Sequence, residues 1–226
     1  MKSAVFTLQH NEHFYLPKWI KYYSMNFSPE DIYILAHNSD LIDTDCNVEY
    51  MNTNEIFNHN WLTSTVNNKQ HELLKRYDYV VFTDCDEFIV PKYCSLKEFL
   101  EKADKPAYRC LGWDGIFDKV HLSHGLNKTS ISSIPLTYTD GYHTATPEFP
   151  ISDEIELFHI HRLDYDQAFN RVNRLAKEKW DTQAIDNNLS THNRLVDKKE
   201  FDEWFYKFQD NTIEHENYTE LLKWIL

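Results

Sequence analysis

Residues 77–90 read YDYVVFTDCDEFIV, an apolar run that climbs into three acids, Asp84, Asp86 and Glu87, and then turns apolar again. Alternate residues of an extended segment point to the same side, so Asp84 and Asp86 can present two carboxylates together while Cys85 faces away. Two hard oxygen donors suit Mg²⁺ or Mn²⁺, and such an ion would in turn be coordinated by a diphosphate. A solvated acidic turn, with Asp84 capping the next element, uses the same residue types. The apolar stretches on both sides favour the metal reading: a strand buried on both faces reads as a continuous apolar run, and ligands of an open parallel sheet sit outside the carboxyl ends of its strands. Further on, HIHR places His159 and His161 on one face of an extended segment. Arg171 and Arg174 lie three apart on one helical face, with Asn170 and Asn173 beside them, and could offset diphosphate charge or simply face solvent.

The elements that must carry these residues alternate between two periodicities. Ser3 to Leu8, a helix around Tyr15 to Asn26, and Ile32 to Ala36 make a βαβ beginning. Asn47 to Met51 is a further short strand, Asn54 to Arg76 is helical, and Tyr79 to Thr83 is a strand central in a mostly parallel sheet. A helix from Ser95 to Lys102 follows, with Ser95 as N-cap and Glu98 completing a capping box. Beyond Pro106 come shorter strands, Ala107 to Leu111, Lys119 to Leu122, Ser130 to Pro135 and Glu156 to Ile160. A helical tail begins near Tyr165, runs through RVNRLAKEKW and, after a polar loop from Asp181 to Asn193, through KEFDEWFYKFQ and YTELLKWIL. The expectation is one α/β unit over 1–226: a nucleotide-type α/β half to about 105, a smaller, irregular half to about 180, and the helical tail after it.

With 226 residues, 42% hydrophobic and 15% aromatic, the chain has material for one sizeable core. A formal charge of −13 argues against a broad phosphate-tracking surface, so nucleic acid is not an expected partner. Cys46, Cys85, Cys94 and Cys110 show neither a CxxC pair nor zinc-like spacing and read as reduced thiols. No window approaches the ~20 apolar residues of a membrane span and no signal h-region follows Lys2, so a soluble, cytoplasmic protein is expected, its oligomeric state open.

Three stretches together resemble GT-A-fold glycosyltransferases near the family 2 and family 92 groups. LQHNEHFYLPKWIKYY is similar to that family's first βα unit, YDYVVFTDCDEFIV resembles its D-x-D strand, and GYHTATPEF with LFHIHRLDYDQAF resembles its late His-containing segments. The likeness spans about residues 3–175, and the tail beyond Trp180 matches no pattern. It implies a Rossmann-like, mostly parallel sheet flanked by helices, with a nucleoside-diphosphate sugar (UDP- or GDP-linked) over the first half. Asp84 would then meet the ribose or the metal, Asp86 would be the principal metal ligand, and His159, or else His161, would complete the site. The loops closing strands one and two, with Gln9, Asn11 and Glu12 and with His37, Asn38 and Asp40, would cradle base and ribose. Lys69 and Gln70, before the central strand, are further candidates for nucleotide contact.

The implied reaction moves a sugar to a hydroxyl of a glycan or other acceptor, and an inverting route needs a carboxylate base. Asp114 in GWDG is preferred for its neighbour Trp113, a platform for a sugar, and for glycines that keep the backbone open; Asp140, Asp153 and Glu154 are the alternatives. A haloacid-dehalogenase-like phosphohydrolase also ends a strand in D-x-D, but it expects Thr or Val where Phe88 stands and its motif near the N-terminus. A non-catalytic sugar-nucleotide- or sugar-binding protein is the third possibility, and an incomplete metal site would mark it.

Overall fold

Residues 1–226 are described by a computed structural model, the side chain of Asp140 excepted. In chain order the strands and helices are β1 (Ser3–Gln9), α1 (Leu16–Tyr23), β2 (Ile32–His37), β3 (Asn47–Met51), α2 (His59–Leu73), β4 (Tyr79–Phe82), β5 (Glu87–Pro91), α3 (Leu96–Lys102), β6 (Ala107–Ile116), β7 (Lys119–Leu122), β8 (Lys128–Ser132), β9 (Thr137–Tyr138), β10 (Ala145–Thr146), β11 (Ile151–Arg162), α4 (Tyr165–Leu175), α5 (Thr182–Asp186), α6 (Lys198–Phe205) and α7 (Glu216–Ile225). Among the described residues one sheet runs β3-β2-β1-β4-β8-β6-β11-β5, with β7 on the edge of β6. Its first four strands are mutually parallel, as are β6 and β11, while β8, β7 and β5 pair antiparallel with their neighbours. The result is the expected α/β architecture, a central sheet flanked by helices that joins strands of both sequence halves, with β9 and β10 pairing apart as a two-stranded ribbon.

Why the first strands read as unbroken apolar runs is visible in the packing. Val5, Ile34 and Val81 face a core shared with α1, α3 and α7, whereas Phe6, Leu35, Val80 and Phe82 face a second core with α2. Both faces are covered, so alternation is lost. In α1 the buried positions Leu16, Trp19, Tyr22 and Tyr23 make one stripe, and Trp19 Nε1 donates to Thr83 Oγ1 at 2.8 Å just past β4. The Ser95–Glu98 capping box forms as the spacing predicts.

Differences from the sequence reading have local causes. The helix predicted from Asn54 starts only at His59, because Asn58 turns extended and caps Trp61 N–H. FIVP becomes β5; its pairing partner β11 lies about 70 residues downstream by registers such as Phe158 opposite Phe88 and supplies no local cue. The helix expected through Trp180 ends at Leu175; Trp180 instead bridges Phe57 and stacks on its ring at 3.7 Å. α5 falls inside the segment read as a polar loop. All four cysteines are free thiols, and no helix among the described residues is long and apolar enough to cross a membrane.

Candidate metal centre and its cavity

The acids after β4 do not act as one group. Their turn is closed twice, by Glu87 N–H donating to Asp84 O at 3.0 Å and by Asp84 N–H donating to Glu87 Oε2 at 2.9 Å. Lys128, fully buried at the start of β8, places its Nζ 2.6 Å from Glu87 Oε2 and 3.0 Å from Asp84 Oδ2. Asp84 is thus committed to a lysine and does not join the ligand cluster in which the sequence reading put it. Asp86 does: its carbonyl accepts from Ile160 N–H of β11 at 2.8 Å, which fixes it against the HIHR segment. Asp86 Oδ2 lies 3.3 Å from His159 Nε2, and His159 Nε2 lies 3.1 Å from His161 Nδ1. One ligand atom from each of Asp86, His159 and His161 falls within a 4.8 Å span.

Strand register explains why these groups meet. Across β5, β11, β6 and β7, the residues Glu87, His159, Asp114 and His121 sit directly opposite one another, so a single row of the sheet is ionisable. Asp114 is buried behind the histidines, paired with Arg162 Nη2, its Oδ1 3.4 Å from His161 Nε2 and otherwise without a hydrogen-bond partner. It does not line the cavity, which corrects the expectation of an acceptor-side base; the flanking glycines permit close packing instead of an open loop. A Cβ at Gly112 would meet the backbone of Leu126 and one at Gly115 would meet Tyr218. Tyr15 Oη donates to His161 O at 2.8 Å, so α1 holds the pair from the other side.

Charge states follow from this packing. Burial pushes Asp86 up, but Arg171 and His159 outweigh it and hold its carboxyl well below the usual range. Burial pushes Asp84 up to about 6 against the pull of Lys128, whereas in Glu87 the lysine wins and the carboxyl is lowered. His159 is raised, because Asp86 overcomes burial, while burial and its charged neighbour drive His161 well down. Of the pair, His159 is therefore the one that favours a proton.

Above this floor opens a cavity of about 300 Å³. It is lined by Gln9, His10, Glu12 and His37 from the ends of β1 and β2, by Asp84 to Glu87, by Tyr142 and His143, by Arg171, and by Ser190, His192, Asn193 and Trp204 of the tail. Seven of the chain's twelve histidines border it: His10, His37, His59, His143, His159, His161 and His192. His37, His143 and His192 are each pushed down to about 4 by burial and are neutral.

Of the expected nucleotide residues, Gln9, Glu12, His37, Asp84 and Arg171 reach the cavity. Asn11 and Asn38 are the αL residues of their turns, at φ 49° and 44°; Asn11 Oδ1 accepts from Asp40 N–H at 2.9 Å, and Asn38 pairs with the backbone of Thr53. With Asp40, Asn11 lines a neighbouring cavity of about 370 Å³. Lys69 does not reach either; it is buried against Glu49 and Glu72, and Gln70 is spent on Ser132 and Leu136. Asn173 bonds its own helix at Phe169 O, and Arg174 donates to His10 O at 3.0 Å. Glu154 pairs with Lys105 at 2.5 Å away from the cavity, and the exposed Asp153 is not among its lining residues either. The side chain of Asp140 lies outside the described residues. Sequence reasoning missed Lys128, Arg162 and His192 as site residues; His143 stands in the GYHTATPEF segment without a role of its own, and Trp204 belongs to an aromatic cluster that reads chiefly as core. Of the three that were missed, only Arg162 had a local signal, its place next to the HIH pair.

No family model matches the chain, and no curated protein matches it. Among solved structures, the chain is similar to a Bacillus anthracis protein described as a glucose-1-phosphate thymidylyltransferase and solved with sucrose: 9% identity over 91% of this chain and 83% of that one, at a TM-score of 0.37. A likeness that distant has no bearing on the chemistry of the cavity.

Proposed function

We propose that this chain is a metal-dependent glycosyltransferase that takes a sugar from a UDP- or GDP-linked donor and passes it to a hydroxyl acceptor. What carries the reading is the convergence of Asp86, His159 and His161 on one point at the carboxyl edge of the parallel strands, under a cavity with an arginine beside it. The donor set fits a divalent ion: a carboxylate held ionised, an imidazole kept neutral by burial, and a second imidazole whose proton is favoured chiefly by Asp86. Two nitrogens in three ligands favour Mn²⁺ over Mg²⁺. Bound there, the ion would neutralise the charge that grows on the leaving diphosphate as the C1–O bond breaks.

The chain's own residues divide the remaining work. Asp114 would position His161 through Arg162, whose Nη2 donates to Asp114 Oδ2 and whose Nε donates to His161 Nε2 at 2.9 Å, the kind of outer support that metal-bound histidines commonly have. Arg171 would bind phosphate oxygens with its planar fork. The ring of His37, 4.3 Å from that of Trp61, offers a flat wall at the end of the first two strands.

The test is thermal unfolding with UDP, GDP or their hexose conjugates, each with and without Mn²⁺ or Mg²⁺. At a ligand concentration of 100 Kd the fold gains about 2.7 kcal/mol, and at roughly 2–4 °C per kcal/mol for a chain of this size the midpoint rises about 5–11 °C. Asp86→Ala should remove the metal-dependent part. An unchanged metal-dependent shift in that variant, or no response to any nucleoside diphosphate, refutes the proposal.

A further inference from the structure

Arg171 holds the carboxylate that the proposed metal needs. Its Nη1 donates to Asp86 Oδ2 at 2.7 Å, the same oxygen that lies 3.3 Å from His159 Nε2. Its Nε donates to Glu12 Oε1 at 2.9 Å, and its guanidinium carbon sits 5.0 Å from the centre of the Tyr15 ring. The side chain is only 20% exposed and borders the cavity.

We propose that Arg171 is a resident counter-cation which a divalent ion must displace from Asp86, and that its displacement couples metal binding to diphosphate binding. This rests on the reading of Asp86, His159 and His161 as a metal site. An ion bound between those three groups would place two positive charges against a guanidinium that shares the same oxygen, and at such range like charges repel strongly in a partly buried site. Glu12 gives Arg171 somewhere to stay: holding on through Nε, it can release Asp86 and turn its freed edge into the cavity, where a diphosphate accepts paired N–H donors. Each ligand then removes an obstacle to the other. The metal frees the arginine for phosphate, phosphate draws the arginine off the metal ligand, and by linkage the two affinities rise by the same factor.

The experiment measures Mn²⁺ affinity by the electron paramagnetic resonance signal of the free ion. It uses the full chain, without nucleotide and then with UDP or GDP, in the parent and in Arg171→Gln, Arg174→Gln and Asp86→Asn. Arg171→Gln should bind Mn²⁺ alone about tenfold tighter or more than the parent, because a competing charged hydrogen bond is gone. It should also lose most of the gain in Mn²⁺ affinity that nucleotide gives the parent. Arg174→Gln removes the same charge from Glu12, 3.4 Å away, without touching Asp86, and should leave Mn²⁺ affinity within about threefold of the parent's. Mn²⁺ binding by Arg171→Gln where the parent shows none also supports displacement. Equal tightening in both arginine variants means a general charge effect and overturns it. Unchanged affinity in Arg171→Gln, with Asp86→Asn abolishing binding, overturns the displacement while leaving the metal site standing. No Mn²⁺ binding by parent or Arg171→Gln removes the metal reading and this inference with it. Should Arg171→Gln fail to show the parent's near-UV circular dichroism, Arg171→Lys keeps the charge but cannot span Glu12 and Asp86, and it must move Mn²⁺ affinity in the same direction.

Discussion

Replacing Lys128 by Met tests the electrostatic frame under the acidic turn. The lysine is fully buried, its Nζ between Glu87 Oε2 and Asp84 Oδ2, and those two carboxylates keep it charged against the pull of burial. Met conserves the apolar stem and removes only the charge. Two carboxylates then share the turn without the lysine, Glu87 buried and Asp84 at the cavity edge, and Glu87 already has an Oε1 without a hydrogen-bond partner. Taking one partner from a buried ion pair destabilises by roughly 3–5 kcal/mol, so Lys128→Met should lose about that much at pH 8 in urea unfolding. The loss should shrink on acidification. In the parent Asp84 already protonates at about 6 and Glu87 below the usual range; without the lysine both move up, so below pH 8 the folded variant holds protons that the folded parent does not. Over each pH unit in which it holds one more, the gap closes by about 1.4 kcal/mol, and by pH 5 about half of the loss should be recovered. Adding Glu87→Gln to the variant should recover part of the loss at pH 8. A loss under about 1 kcal/mol, or one that ignores pH, would refute the claim that Lys128 neutralises this turn.

Two further outcomes can be checked with the same equipment. His37, neutral in the fold with its Nε2 2.6 Å from Thr53 Oγ1, is pushed down to about 4 while the unfolded chain takes its proton near 6.5, so its stabilising share is present above pH 6.5 and lost as pH falls toward 4. His37→Gln should flatten the stability profile between those limits by about 1.4 kcal/mol per pH unit, and parallel profiles would contradict the assignment. Gly115→Ala would bring a methyl group 2.8 Å from Tyr218 Cζ and 3.2 Å from His159 O, pressing α7 away from β6; a loss of about 1–3 kcal/mol is expected, with Tyr218→Leu relieving part of it, and a neutral Gly115→Ala would show that α7 yields freely.

How much of this was legible in the chain depended on the distance over which each group finds its partner. β1, β2 and β4 announce themselves because burial on both faces erases alternation, and the Ser95–Glu98 box is local by construction. Asp86, His159 and His161 were legible as residue types in extended segments at strand ends. Lys128 was not, since it meets Asp84 and Glu87 only because β8 runs antiparallel beside β4, a pairing that periodicity does not encode. Asp114 was misread for the opposite reason: GWDG has the composition of a turn, yet it lies inside a ten-residue strand whose glycines admit Leu126 and Tyr218. The tail carried no recognisable pattern, although His192, Asn193 and Trp204 close the cavity over His161, whose ring lies 5.1 Å from that of Trp204.

The charge of the floor bears on why a cation is needed at all. Glu12, Asp84, Asp86, Glu87 and Asp114 stand against Lys128, Arg162, Arg171 and Arg174, five acids to four fixed cations, and a proton on His159, which Asp86 favours, would bring the sum from −1 to zero. A diphosphate entering such a site finds no surplus of positive charge, and each arginine it recruits must first leave a carboxylate. A divalent ion that replaces the His159 proton changes the sum to +1, and it does so beside the only one of these acids that the histidine pair faces in the cavity, Asp86. The protein as a whole carries −13, so the surrounding field opposes the nucleotide further. Selectivity for a diphosphate over a neutral sugar would then reside in the ion and in Arg171, and nucleotide affinity should fall with Mn²⁺ removal far more steeply than affinity for any uncharged acceptor.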